Sequence, residues 1–552
     1  MEDDFKLIQM AARGPFSWGY LLQDYNDHLM PGQFALVWLL QHVAPMSFTL
    51  VAVCLAVLSS VSAWLMWLLL RDLVGERWLV VASLVVFAFA PLAVSAYLWY
   101  AAALQAVPLQ IAALGMLRWH VRYVRTRRQT DAAVAVAFFV AGVLMWEKAL
   151  VLFPLVLLFS LLWLGDRRGL RAAVRSVWRD RWQYLAYGIV AAAEVALLVW
   201  RVRPDPVPPA ATDGYWVVFR ETLLNGVVPY LFGGPFRQAS AHYAGGAVVS
   251  WNWLYLAGGI AVVAASLRWY RDSWKAWVWL GSYWFVVCAV LTRSRYGTWF
   301  ALVGRSPRYF PELTMLTCIA VTMAFATAKD PIRSRSMAAG GRAVGVTAVV
   351  VGVVFVAASL FTSRSMVDGH PGRRTERFVE NVSSDLDRSG ATVLLDATTP
   401  PSVLGLLGVG ENRLSTLLAG MDRPPRFDVP TEHLYVAGAD GHLAPIELKT
   451  AVSLPAESGS CVAEVRSGTP ADVDLRADLF QWQWIIRLDV STEAPALLEV
   501  TSGGVRQNLP LGVGSSTWYL VADDAFDSLG LTSFGDDAPI CVSAVTIGVP
   551  AD

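Results

Sequence analysis

Asp3 and Asp4 stand side by side near the start of the chain, in MEDDFK. Adjacent carboxylates can divide the work of a glycosyl transfer. One takes the proton from an attacking hydroxyl, and the other holds that base in place or stabilises positive charge growing at the anomeric carbon. The same pair also fits a solvated acidic tail. Further on, DYNDHLMPGQF sets Asp27 beside His28. An imidazole there could bond a sugar hydroxyl or orient carboxylates, and imidazoles trade protons near neutral pH. Equally, the two residues could cap the helix that follows. Glu147 and Lys148 interrupt the apolar run LMWEKALVLFP. Two adjacent charges between short helices need water or partners, which a plain hairpin turn would also give them. Glu194 lies in the middle of AAAEVALL, where an acid is either functional or paired with a neighbouring helix; it is left out of the catalytic set. Finally, RSRYGTWFALVGRSPRYFPE carries Arg293, Arg295, Arg305, Arg308 and Tyr309. Guanidinium forks match phosphate oxygens, and Arg308 and Tyr309 stand just ahead of a helix, near its positive end. Ordinary anionic headgroups would suit these arginines too.

The frame around these groups is apolar. Of 552 residues, 55% are hydrophobic and 16% charged, where a soluble chain would carry about a quarter charged. The 24 tryptophans gather near the ends of apolar runs, as rings suited to a membrane interface do. An integral membrane protein follows. Lys+Arg and Asp+Glu balance at 44 each, so net charge names no partner, and nothing calls for nucleic acid. The acidic start lacks the basic region of a cleavable signal peptide.

A bilayer core demands about 20 apolar residues per helix, fewer where neighbours shield it. Ten spans are expected on that rule: 46–70, 78–96, 101–119, 131–146, 149–164, 183–201, 251–268, 275–292, 310–328 and 344–362. Alternating them collects the basic stretches Arg71–Arg77, HVRYVRTRR, DRRGLRAAVRSVWRDRW, RWYRDSWK and KDPIRSRSMAAGGR on one side. The positive-inside rule makes that side cytoplasmic. The N-terminal segment 1–45, the turn at Tyr97, the turn at Glu147–Lys148, segment 202–250, loop Arg293–Glu312 and everything past 362 then lie outside. An outer N-terminal tail with no helix ahead of it implies a first helix preceding Met1, or a dedicated export of the tail. Within 202–250, RPDPVPPAATDG cannot be helical throughout, and YWVVFRETLLNGVVPYLFGG is amphipathic enough to lie along the membrane surface.

Past residue 362 the composition changes. SRSMVDGHPGRRTER reads as a linker, TERFVENVSSDLDRSG as a helix and ATVLLDA as a buried strand, giving a linker and small α/β segment over 363–430. From 431 on, short β-rich runs separated by Gly, Asp and Ser predict a β-sandwich. Cys461 and Cys541 could pair there if this region is outside the cytosol; Cys54, Cys288 and Cys318 read as buried apolar residues. GLLGVGENR has glycines without a dinucleotide-binding spacing.

An acidic pair ahead of DYNDHLMPGQF, many apolar spans and an outer β-rich end together resemble the GT-C superfamily of integral membrane glycosyltransferases, with actinobacterial mannosyl- and arabinosyltransferases nearest. The resemblance implies a polyprenyl-phosphate-linked sugar as donor, and an envelope glycan, lipid or protein as acceptor on the outer face. It implies inversion in one displacement, Asp3 or Asp4 as base, and a charged residue at the Glu147–Lys148 turn facing the donor. Asp27, His28, Glu147, Lys148, Arg293, Arg295, Arg305, Arg308 and Tyr309 are the expected substrate-binding set. A divalent ion could bridge carboxylates and phosphate, although no complete ligand set is visible. A lipid-linked-sugar flippase would share the basic outer patch without needing the acidic pair. A non-catalytic glycan-binding protein is the other alternative.

Overall fold

The computed structural model describes residues 2–165, 170–202, 213–236, 251–326, 341–370, 372–404, 412–456, 460–535 and 538–551. The openings of segment 202–250 and of DRRGLRAAV, most of KDPIRSRSMAAGGR and most of GLLGVGENR lie outside the described residues. The chain divides into two units: Met1, Asp3 and Leu7–His370 form the first, and Glu2, Asp4–Lys6 and Pro371–Asp552 form the second.

The first unit is helical. Its helices are α1 (Glu2–Arg13, whose first residues are divided between the units), α2 (Pro31–Val43), α3 (Phe48–Val74), α4 (Trp78–Phe89), α5 (Tyr100–Thr126), α6 (Gln129–Met145), α7 (Leu152–Phe159) and α8 (Leu170–Arg179). They continue with α9 (Arg181–Arg201), α10 (Gly214–Glu221), α11 (Asn252–Trp269), α12 (Trp274–Trp299), α13 (Glu312–Ala324) and α14 (Gly341–Asp368). Among the described residues, seven helical segments are long and apolar enough to cross a membrane, and α6 and α13 are shorter apolar helices. The chain is a multi-pass membrane protein. The described parts of the ten expected spans fall on helical segments, of which seven are long and apolar enough to cross. Sequence-local signals set the ends: the Ser47 hydroxyl accepts the Leu50 N–H at the start of α3, and Gly75 closes it at φ 77°.

Two groups of loop ends are visible in the packing. At one, Arg118 and Arg125 both bond Asp72, Arg127 pairs with Asp180, and Arg77 donates to the Ala326 carbonyl. These are the basic loop ends. At the other, residues 26–28, 99, 147–148 and 295–312 bond one another, as detailed below.

Two sequence readings change in this unit. Helix α12 runs on to Trp299, so Arg293 and Arg295 belong to its last turns and not to a loop. Segment 213–231 keeps an exposed surface at Trp216 and Arg220. It is a helix, a π-turn over Thr222–Gly226 and a further helical turn, and it buries Val218, Glu221, Thr222 and Tyr230. Glu221 there accepts a hydrogen bond from Arg305. And α14 continues helically through SRSMVD, the first part of the supposed linker.

The second unit opens with α15 (Gly372–Ser389) and a small sheet of β1 (Val393–Leu394), β2 (Arg426–Phe427), β3 (Tyr435–Ala437) and β4 (Leu443–Pro445), in order β2-β1-β3-β4. The EHLYVAG strand, β3, therefore joins this sheet and not the sandwich. The sandwich itself sets a sheet of four strands (505–511, 496–502, 526–535, 471–479) against one built on 514–522, 484–492, 540–550 and 448–455. In strand Trp484–Thr492 burial alternates from Ile486 onward, with Ile486, Leu488 and Val490 inward. Cys461 and Cys541 form a disulfide.

Candidate active site

The polar residues of the first unit are assembled by three local devices. The first is a tight turn. Tyr25 and His28 exchange backbone hydrogen bonds (3.2 and 3.0 Å), and Asn26 and Asp27 between them have φ of 52° and 65°. This is the geometry of a type I′ turn, and short Asx side chains tolerate it. Asp27 and His28 are thus turn residues. They do not cap α2, whose N-cap is Met30 and makes no side-chain cap bond.

The second device is a close approach. A Cβ on Gly32 would stand 2.6 Å from the Met145 Sδ and 2.9 Å from the Leu144 carbonyl oxygen. Only a bare Cα lets the first turn of α2 rest on the end of α6. Gln33, fully buried, then donates to the Ala101 carbonyl (2.8 Å) and accepts from Gln105 (2.8 Å), fixing α2 to α5. Together these carry His28 to the residue that follows α6 and Trp146, which is Glu147.

The third device is the Glu147–Lys148 turn itself. Its two charges part company. Glu147 Oε1 lies 2.5 Å from His28 Nδ1, and Arg295 lies 2.7 Å from His28 Nε2 and 3.3 Å from the Asn26 carbonyl. A guanidinium has donors only, so Nε2 must accept. The ring proton then sits on Nδ1 and is donated to Glu147. Lys148 pairs with Glu312 and donates to the Tyr309 carbonyl (2.5 Å), while the Tyr283 hydroxyl donates to the same Glu312 oxygen (2.7 Å). Glu312 and Lys148 are 3% and 11% exposed as side chains. One oxygen each of Glu147 and Glu312 is buried without a hydrogen-bond partner among the described residues. Glu194 is buried as well, has one unbonded oxygen and lies within Coulombic reach of Glu147.

Arg308 leads into α13. Its guanidinium lies over the Trp99 ring at 3.9 Å and donates to the Tyr309 hydroxyl (3.2 Å). Among the described residues neither Arg295 nor Arg308 pairs with a carboxylate. Arg305 does: its Nε donates to Glu221 (2.8 Å), which also accepts from Asn225 (2.7 Å) and Arg220 (2.9 Å). Burial alone would raise the Glu221 pKa, but these hydrogen bonds, with the Arg305 charge, outweigh it and hold it below the ordinary glutamate value. Arg305 is therefore bonded to an internal carboxylate through its Nε. Arg293 is exposed and joins neither network.

The structure thus brings His28, Glu147, Lys148, Arg295, Arg308 and Tyr309 into two linked networks. It adds Glu312, Tyr283 and Trp99, which sequence reasoning did not select. Glu312 was legible as an acid next to a basic loop; Tyr283 sits in an apolar run and gave no signal. Asp4 is buried in the first turns of α1. The side chain of Asp3 lies outside the described residues. Among those residues no three His, Cys, Asp or Glu converge as a metal site would require, and no step is assigned to a divalent cation.

No protein-family model and no curated protein sequence matches the chain. Solved structures do. The chain is similar to mycobacterial arabinosyltransferases. Against arabinosyltransferase EmbB from Mycobacterium smegmatis the TM-score is 0.30 at 13% identity, over 99% of this chain and 62% of that one. Against arabinofuranosyltransferase AftD from Mycobacteria it is 0.33 at 11% identity, over 100% of this chain and 58% of that one. A second AftD structure gives 0.33 and 11%, over 98% and 61%. The chain spans only 58% to 62% of the solved chains it matches. Likeness of this degree fixes neither a shared fold nor a shared reaction.

Proposed function

We propose that the chain is a membrane glycosyltransferase of the GT-C kind, moving a sugar from a polyprenyl-phosphate donor to an envelope glycan, lipid or protein acceptor. The observation that supports this most is the pair of arginines, Arg295 and Arg308, held among aromatic and carbonyl groups with no carboxylate partner among the described residues. Both stand at the end of the helical unit opposite the basic loops. Two fixed guanidinium groups suit a phosphodiester anion. Lys148 serves by position: its charge is spent on Glu312, and its bond to the Tyr309 carbonyl ties down the segment bearing Arg308.

In the reaction, an acceptor hydroxyl oxygen attacks the anomeric carbon as the bond from that carbon to the phosphate oxygen breaks. Asp3 or Asp4 takes the hydroxyl proton. The phosphate leaves with its negative charge met by Arg308 and Arg295, and it needs little acid assistance. One displacement inverts the anomeric centre. The basic loops face the cytoplasm in this reading, so the reaction runs on the outer face of the cell membrane. The Cys461–Cys541 disulfide supports the same placement for the second unit, since such bonds persist in oxidising compartments.

The test is transfer of labelled arabinose or mannose from synthetic polyprenyl-phosphate donors by the purified full chain in nanodiscs. Transfer by the native protein, lost in D3N/D4N, is the expected result. Transfer undiminished in D3N/D4N would remove the acidic pair from the reaction. Donor crossing between leaflets without any transfer would replace the enzyme with a flippase.

A further inference from the structure

Helix α8 (Leu170–Arg179) carries a surface that the reaction does not use. It sits at the basic-loop end of the first unit, between the end of the α7 span and the start of α9, and it is sorted into three stripes. Ala173 and Val177 turn inward, the first buried and the second against the core. A Cβ on Gly165 would meet Ala173 Cβ at 2.8 Å, so the helix lies hard against the end of the preceding span. Next round the helix, Val174, Trp178 and, beyond the helix end, Trp182 are exposed, the two tryptophans at 68% each. Beyond these, Arg171, Arg175 and Arg179 form an exposed row at helical spacing. The Arg181 guanidinium lies over both tryptophan rings, at 5.9 and 5.3 Å. Among the described residues none of these four arginines pairs with a carboxylate. The acid between them, Asp180, is taken by Arg127.

We infer that α8 lies in the plane of the membrane interface and docks anionic phospholipid headgroups on the basic-loop side. Three features choose a lipid over other anionic partners. The exposed apolar stripe runs directly into α9, one of the spanning segments, so it meets the bilayer edge. Tryptophan at that depth is at home in the interface, with the arginine row beside it at headgroup level. And the row presents several cations with no carboxylate partner among the described residues, which is charge complementary to an anionic leaflet.

The test uses the full chain in a neutral detergent, titrated with phosphatidylglycerol or phosphatidylcholine, with bound lipids counted by native mass spectrometry. Each arginine near an anionic surface is worth roughly fivefold in affinity. R175Q should weaken the tightest phosphatidylglycerol site by about that factor, and R171Q/R175Q/R179Q by on the order of a hundredfold. Phosphatidylcholine binding should not change. R171K/R175K/R179K, which keeps the charge, should bind phosphatidylglycerol within a few-fold of the native chain. The inference is overturned if the glutamine variants bind phosphatidylglycerol as the native chain does, or if the lysine variant loses it. It is also overturned if the native chain shows no preference for phosphatidylglycerol, or if millimolar inorganic phosphate alone displaces the lipid.

Discussion

Arg305 and Arg308 look equivalent in GRSPRYFPE, but among the described residues only Arg305 has a carboxylate partner, and the jobs we propose for them differ accordingly, internal pairing for Arg305 and donor binding for Arg308. Replacing each with glutamine should separate those jobs. Arg308 has no carboxylate among the described residues to leave stranded, and its guanidinium rests on Trp99 at 3.9 Å. R308Q should therefore leave stability nearly unchanged. A hydrogen bond to a charged group is worth about 1.5–3 kcal/mol, so losing one to a donor phosphate should raise the donor KM roughly 10- to 100-fold. Arg305 instead donates to Glu221, which is 3% exposed. Removing one partner of a buried charge pair costs about 3–5 kcal/mol when nothing else meets the charge. Here Asn225 and Arg220 remain and the Arg305 side chain is 30% exposed, so about 1–3 kcal/mol is the better expectation. R305Q should lower thermal stability while the folded fraction keeps the native donor KM. The loss should deepen at neutral pH and fade in acid. Glu221 is held below 4.5 in the folded state, so its contribution is present above that value and lost as the pH falls through the depressed one. Thermal melts in detergent and donor-dependence curves in nanodiscs give both numbers. If R305Q raises donor KM and R308Q lowers stability, the assignment is reversed and the proposed anion site falls.

K148M should be among the most damaging single changes, because it strands Glu312 in the interior at a cost of about 3–5 kcal/mol. K148M/E312Q should recover most of the lost melting temperature, and no recovery would mean the pair is not coupled. G32V would force a side chain into the Leu144 carbonyl and Met145; an overpacking penalty of about 1–3 kcal/mol is expected, with new protease sensitivity in the turn at residues 25–28. In the second unit, burial, reinforced by the charges of Asp396 and Asp523, pushes the Asp428 carboxyl up to about 6. A raised acid holds its proton more tightly when folded, so stability should decline as the pH climbs from 3.8 through about 6. D428N should flatten that slope in melts of the full chain followed by circular dichroism.

Much of the frame was open to inspection in the sequence. Apolar length, the basic loop ends and the change of texture past 362 follow from solvent preference alone, which acts residue by residue. Period-two patterning likewise announces the sandwich. What could not be seen was partnership. RSRYGTWFALVGRSPRYFPE shows four arginines with one chemistry, and nothing local reveals that Arg305 meets Glu221, 84 residues away in sequence. Nor does DYNDH reveal that His28 faces Glu147, since the contact depends on Gly32 lying against Leu144. The continuation of α12 past 292 was hidden for another reason: polar residues ended the apolar pattern before the helix itself ended.

The Glu147–Lys148 turn explains why those partnerships belong to one arrangement. Two neighbouring residues of opposite charge could neutralise each other, and the turn would then need no one else. Here each is bonded elsewhere, Glu147 to the N-terminal turn through His28 and Lys148 to the start of α13 through Glu312. Arg295 is held from the first side, by His28 and the Asn26 carbonyl. Arg308 is held from the second, one residue from the carbonyl that Lys148 grips. A single dipeptide thus ties both arginines in place, so breaking either of its bonds should alter donor affinity even though neither charge is free to bind the donor. Such coupling is what a built anion site should show and a chance gathering of surface arginines should not. E147Q, which keeps the shape and an acceptor for His28, should affect donor KM far less than E147A.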